Sequence, residues 1–210
     1  MFESLKLWWH RRKTRGKMER VFSRGEDPFG YRRSSYETAR LKAMEAALGE
    51  RRYGQALEVG CAEGDFTEKL LAASERVTAV DISPTAIGRL QKRLGKGALE
   101  LVVSDLRDWA PPAGRTFDLI VLGDVLYYLD KPLVREHFEA VFPKLASWLA
   151  PGGRLVLAHG FAGPEELAHR QGFRQRFERQ GLKLISEAVV AEGLSAGPVS
   201  CLLDVLEAAA

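Results

Sequence analysis

Two hydrophobic periods alternate along this chain. Tyr36, Leu41, Met44, Ala47 and Leu48 recur at helical spacing behind a Ser34 or Ser35 cap, and Gly49 ends the segment. Short apolar runs of strand length then fall at residues 56–60, 77–81, 99–103, 117–122 and 154–159. Helical patterns separate them: residues 65–73, a helix capped by Ser83 with Pro84 at its first position, a long helix from about 130 through 149 bent at Pro143, and residues 165–180. Pro151-Gly152-Gly153 reads as a turn. Residues 182–191 and 199–206 read as two last strands, joined by too short a loop for a parallel crossover and therefore antiparallel. The early strands are continuous apolar runs, as expected when helices cover both sheet faces. The pattern predicts an α/β fold: a doubly wound, Rossmann-like sheet, mostly parallel, ending in an antiparallel hairpin.

Composition changes this picture little. The chain has 210 residues, 46% hydrophobic and 28% charged, which suits one domain. Charge distribution says more. Residues 1–24 carry eight basic side chains against Glu3 and Glu19, a local +6, which leaves −3 for the rest of a chain whose net charge is +3. Residues 1–27 therefore read as a basic arm, poorly ordered or loosely docked, with Trp8 and Trp9 offering contact to an anionic membrane surface or a polyanion. Residues 28–210 read as a single domain whose first part, to about residue 50, forms a lid. No run approaches a membrane span, and no signal peptide is apparent. Cys61 and Cys201 make neither a disulfide framework nor a zinc site, so reduced thiols in a cytoplasmic protein and no metal are expected.

The chemistry starts at the end of the first strand. Leu57-Glu58-Val59-Gly60-Cys61-Ala62-Glu63-Gly64 is a glycine turn leading into a helix, where Gly60 and Gly64 permit close backbone approach. A dinucleotide site needs G-x-G-x-x-G, but Ala62 and Asp65 stand at its second and third glycines. Glu58, Glu63 and Asp65 would repel phosphates while attracting the amine and sulfonium of S-adenosylmethionine. Asp81 ends the second strand, 21 residues after Gly60, where a carboxylate can take both ribose hydroxyls. Ser104-Asp105-Leu106 ends the third strand; Asp105 is placed for the adenine amino group, with Leu106 and Ile82 sandwiching the ring. Gly123 and Asp124 end the fourth, beside the expected methyl group. Tyr127 and Lys131 mimic the Y-x-x-x-K pair of short-chain dehydrogenases, but Pro132 interrupts the required helix and Gly114 stands where the serine belongs.

Together these words resemble the class I S-adenosylmethionine-dependent methyltransferases over roughly residues 28–206: the glycine loop, Ala79-Val80-Asp81-Ile82-Ser83, Phe117-Asp118-Leu119-Ile120-Val121, and Leu149-Ala150-Pro151-Gly152-Gly153. Asp27-Pro28-Phe29-Gly30-Tyr31, Tyr36-Glu37-Thr38-Ala39-Arg40 and Val125-Leu126-Tyr127-Tyr128-Leu129 are similar to the nodulation protein S group. That resemblance implies N-methylation of a glucosamine-type amine on a chitin-like oligosaccharide. In such a reaction Asp124 could orient the amine and accept its proton, His159 is a candidate base, and Tyr127 or Tyr128 could bind the acceptor. Phe29, Tyr31, Arg32 and Tyr36 are the expected lid contacts. Two alternatives compete. The basic arm favours a nucleic-acid methyltransferase, although the fourth-strand segment lacks the Asn/Asp-Pro-Pro-Tyr clamp of base-amine methylation. A non-catalytic cofactor-binding protein would keep the fold and lose turnover.

Overall fold

The computed structural model describes residues 2–95 and 97–210. Seven strands form one sheet: β1 (Tyr53–Val59), β2 (Ser74–Asp81), β3 (Leu99–Val103), β4 (Phe117–Gly123), β5 (Leu149–Ala162), β6 (Lys183–Val190) and β7 (Val199–Glu207). Their order is β3-β2-β1-β4-β5-β7-β6. β1 to β5 are parallel to their neighbours, and β7 runs antiparallel to both β5 and β6. The expected sheet and C-terminal hairpin are both present.

Strand parity divides the core. Leu57, Val59, Ile120, Leu122, Leu155 and Leu157 face one layer, where Phe138, Phe142, Phe173 and Phe177 pack edge to face. Those rings come from α6 (Arg135–Glu139), α7 (Val141–Trp148) and α8 (Gly163–Glu178). Ala56, Val121, Val156 and Ala158 face the other layer, against Met44 and Leu48 of α2 (Ser35–Leu48) and Leu70 of α3 (Thr67–Ala73). Ser34 caps α2 by accepting from the Glu37 N–H, and Ser83 caps α4 (Pro84–Leu94) by accepting from that of Ala86.

Three segments differ from the sequence expectation. The long helix between residues 130 and 149 is three pieces: a 3-10 turn (Pro132–Val134), α6 and α7, with a break at Ala140. Pro143 has no N–H to give the Glu139 carbonyl, so the α-ladder cannot run through. A short helix, α5 (Leu126–Leu129), precedes it. The Pro151-Gly152-Gly153 turn lies within β5 as an irregularity, since pairing with β4 jumps from Phe117↔Leu149 to Leu119↔Arg154. A Cβ on Gly153 would lie 2.8 Å from the Ala150 carbonyl oxygen and 3.0 Å from that of Phe117, so only glycine fits.

The third difference is the basic arm. Residues Phe2–Phe22 form helix α1. Leu7, Met18 and Phe22 on its inner face are buried, each worth about 1.5–3 kcal/mol of transfer energy. Glu19 reaches across to α4, accepting from the hydroxyls of Ser83 and Thr85, the latter at 2.8 Å. Arg11 pairs with Asp108, and Arg107 Nη1 lies 3.0 Å from His10 Nδ1.

Candidate functional site

The carboxyl ends of β1, β2, β3 and β4 surround a cavity of about 420 Å³. Gly60, Ala62, Asp81, Ile82, Ser104, Asp105 and Leu106 line one end of it. Asp81 is buried, its Oδ2 accepting from Ala62 N–H at 3.0 Å and its Oδ1 from Ser83 N–H at 2.9 Å. These donors leave the carboxylate with lone-pair capacity for a ligand. Burial pushes this carboxyl above its usual range, although these backbone donors hold it down in part. Asp105 also lines the cavity, but Arg107 clamps it at 2.6 and 2.8 Å. Burial alone would raise its pKa; the Arg107 bonds and charge bring it below the usual range.

The two loop glycines have different reasons. Gly60 has φ +80° and lies so close to Val125 that a Cβ would sit 2.3 Å from its Cγ2. Gly64, at φ +86°, makes room for Leu90 of α4 rather than for a ligand. Between them Ala62 holds φ +48° without being glycine. Its buried methyl packs with Met18, Phe22 and Ala86.

The expected electrostatic role of the loop acids needs correction. Glu63 accepts from the Asp27 N–H at 2.8 Å and pairs with Arg89, while Asp65 pairs with Arg93 at 2.8 Å and Arg32 at 3.2 Å. Neither lines the main cavity. Glu58 is buried beneath the loop, hydrogen-bonded by Thr67, and burial pushes it up to about 8. Cys61 is buried against Ala79, Ile87 and Leu90, outside the cavity.

At the other end stand Phe29, Tyr31, Tyr36, Gly123, Asp124, Tyr127 and Tyr128, with Phe161, Glu166 and Arg170. Asp124 is their hub. It leaves β4 in the left-handed region, φ +54°. Its Oδ1 accepts from Gly160 N–H at 2.8 Å, and its Oδ2 faces Arg40 Nη1 at 3.1 Å. Arg40 is itself buried and also holds Glu37 at 2.9 Å, with its guanidinium 5.8 Å from the Tyr31 ring centroid. Burial raises Glu37, with Arg40 pulling the other way. Burial, then the adjacent Asp124, pushes the Tyr127 phenol far up, and Arg170 stacks on its ring at 4.5 Å. The lid is anchored by Asp27, whose carboxylate accepts from the Tyr31 and Arg32 N–H groups. Phe29 then packs on Phe22 and Tyr31 at centroid distances of 5.6 and 5.8 Å.

Two further expected contacts lie outside the cavity. His159 is buried with its ring against Phe173 and Tyr127 and its Nε2 without a partner; burial lowers it to about 4. It shares the β5 face of Leu155 and Leu157, not the cavity mouth. Arg32 sits on the outer surface, where it pairs with Asp65. Sequence reasoning in turn missed Glu37 and the α1 residues Thr14, Met18 and Phe22, which line the cavity, and Arg40, which holds Glu37 and Asp124 from behind. Among the described residues there is no cluster of three or more His, Cys, Asp or Glu able to hold a metal, and no helix is long and apolar enough to cross a membrane.

The strand order and the placement of the glycine loop define the class: this is the Rossmann-like fold of the S-adenosylmethionine-dependent methyltransferases. The profile of the family described as Nodulation protein S (NodS) matches residues 16–178. The chain belongs to that family. It is 40% identical over 133 residues to nodulation protein S of Rhizobium tropici, covering 62% of this chain and 54% of that one. With nodulation protein S of Bradyrhizobium diazoefficiens it shares 38% over 151 residues, covering 70% and 68%. The chain thus spans little more than half the length of the first of these relatives. It also superposes on N-methyltransferase NodS from Bradyrhizobium japonicum WM9, crystallised with S-adenosyl-L-homocysteine, with a TM-score of 0.79 and 27% identity over 93% of this chain and 98% of that one.

Proposed function

We propose that this chain methylates an amine nitrogen of a small acceptor at the expense of S-adenosylmethionine, an amino sugar on a chitin-like oligosaccharide being the first acceptor to test. One observation carries the reading. The cavity that offers Asp81, Ile82 and Leu106 at one end offers two arginine-held carboxylates, Asp124 and Glu37, among Tyr31, Tyr36 and Tyr127 at the other. The relatives nodulation protein S and N-methyltransferase NodS point the same way.

The lining fits the cofactor. Buried Asp81 retains lone-pair capacity for a ribose hydroxyl, and Ile82 and Leu106 give an apolar slot for adenine. Ser104 and Asp105 line the same end of the cavity, with Gly60 and Ala62 of the loop that follows β1. Bound there, S-adenosylmethionine supplies an electrophilic methyl group on a sulfonium.

The chain's own work is alignment and proton handling. An amine attacks only through a free lone pair, so it must arrive neutral or lose a proton. Asp124 and Glu37 accept its N–H groups and orient the lone pair along the cavity. Glu37, raised by burial, holds the proton that the nitrogen sheds. Gly160 admits this arrangement, since a Cβ there would lie 3.3 Å from the Tyr36 hydroxyl and 3.5 Å from Asp124 Oδ1. Tyr127 and Tyr128 flank the acceptor with their ring faces. Phe22, Phe29 and Tyr31 exclude water, which strengthens these electrostatics. The same carboxylates repel phosphate, so the acceptor end gives an RNA substrate no support.

The test is isotope-labelled methyl transfer to chitin oligosaccharides with a free amine, their N-acetylated counterparts, other small amines and RNA. Label in the free-amine sugar alone is the expected result. Label in RNA alone, or equal label in the N-acetylated sugar, overturns the acceptor assignment.

A further inference from the structure

Helix α1 has two faces with different destinations. Its inner face is used: Leu7, Met18 and Phe22 are buried, Glu19 binds α4, Arg11 binds Asp108, and Lys17 Nζ lies 5.4 Å from the Tyr128 ring centroid. Its outer face carries Trp8 and Trp9, 51% and 58% exposed, among the exposed Arg12, Lys13, Arg15 and Arg20. We infer that this outer face docks the protein on an anionic lipid surface. Indole rings partition into the headgroup region, and exposed cations beside them are drawn to acidic headgroups.

Two observations favour lipid over nucleic acid. Arg12 lies over the Trp8 ring at 5.6 Å from its centroid and Lys13 over that of Trp9 at 5.7 Å. Each indole thus has a cation over one of its two faces, which closes that face to a stacking base while the ring edge remains available for insertion. Charge distribution agrees. Residues 1–24 carry +6 and the remainder −3, so a long polyanion wrapping beyond this segment meets repulsion. A flat surface touches the convex helix alone. Docking needs no methyl acceptor and stands apart from the catalytic reading.

The experiment is co-sedimentation of the full chain with vesicles of phosphatidylcholine alone or mixed with phosphatidylglycerol, with single-stranded RNA as a parallel probe. Binding to the anionic vesicles, weakened by salt and absent with phosphatidylcholine alone, is expected. Trp8→Ala/Trp9→Ala should abolish it. Arg12→Gln/Lys13→Gln should weaken it about fivefold for each cation removed. Both variants should keep the wild-type far-ultraviolet circular dichroism and S-adenosylhomocysteine affinity, which separates lost docking from lost folding. No vesicle binding by the wild-type chain, binding indifferent to the tryptophans in folded variants, or binding to RNA in place of vesicles overturns the inference.

Discussion

Arg40 Nη1 lies 3.1 Å from Asp124 Oδ2, and this pair, with Arg40 buried and Asp124 half-buried, joins the second helix to the end of the fourth strand. Removing one partner of a buried pair leaves the other uncompensated, at about 3–5 kcal/mol. Asp124 keeps some contact with solvent, so Arg40→Met should lower unfolding free energy by less than that, about 2–3 kcal/mol in urea titrations. It should also cut kcat more than it weakens S-adenosylhomocysteine binding, because Arg40 lies on the acceptor side.

Asp124→Asn keeps an oxygen for the Gly160 N–H and loses the charge that faces Arg40. Misplacing the acceptor nitrogen by about 1 Å costs on the order of 100-fold in rate. A kcat reduced by about that factor, with cofactor affinity within a few-fold of wild type, is the expected outcome in parallel kinetics and calorimetry. Unchanged turnover would remove Asp124 from the mechanism.

Asp81→Ala should act at the other end. Hydrogen bonds to a charged acceptor are worth about 1.5–3 kcal/mol, so cofactor Kd should rise roughly 10- to 100-fold by calorimetry. The KM of the acceptor should change little.

His159 gives a prediction of the opposite sort. Burial holds it near 4, so it stays neutral across the working range and faces Phe173 and Tyr127. His159→Asn should lower Tm while leaving no missing inflection in the rate profile between about pH 5 and 8. A loss of kcat above about 100-fold at wild-type Tm would restore it as a base.

Glu58 makes stability pH-dependent. Its ordinary pKa of 4.5 rises to about 8 in the folded chain. Folding thus favours its neutral form: the contribution is full below the unfolded value and is lost as pH climbs through the folded one. Glu58→Gln, which keeps an oxygen for the Thr67 hydroxyl, should flatten the decline in Tm between those limits.

How far the sequence predicts this structure depends on how local the cause is. The strands, the caps at Ser34 and Ser83 and the antiparallel hairpin follow from spacing within a few residues. Helix α1 was hidden because its inward positions, Leu7, Arg11, Thr14, Met18 and Phe22, include two polar residues. Strand parity did carry the information about His159, since residues 155, 157 and 159 share one face. The pairing of Arg40 with Asp124 spans 84 positions and leaves no local trace. The loop acids leave no local trace of their partners for the same reason: Arg89 and Arg93, on α4 beyond the second strand, neutralise Glu63 and Asp65 before any ligand meets them.

Ala62 closes the account. A left-handed backbone at alanine costs about 1–2 kcal/mol relative to glycine, yet its methyl is what Met18 and Phe22 rest against. Ala62→Gly would relax the loop and loosen the first helix at once. The loop and the helix thus share one energetic cause: the contact with Met18 and Phe22 offsets the backbone strain that a methyl brings to this position.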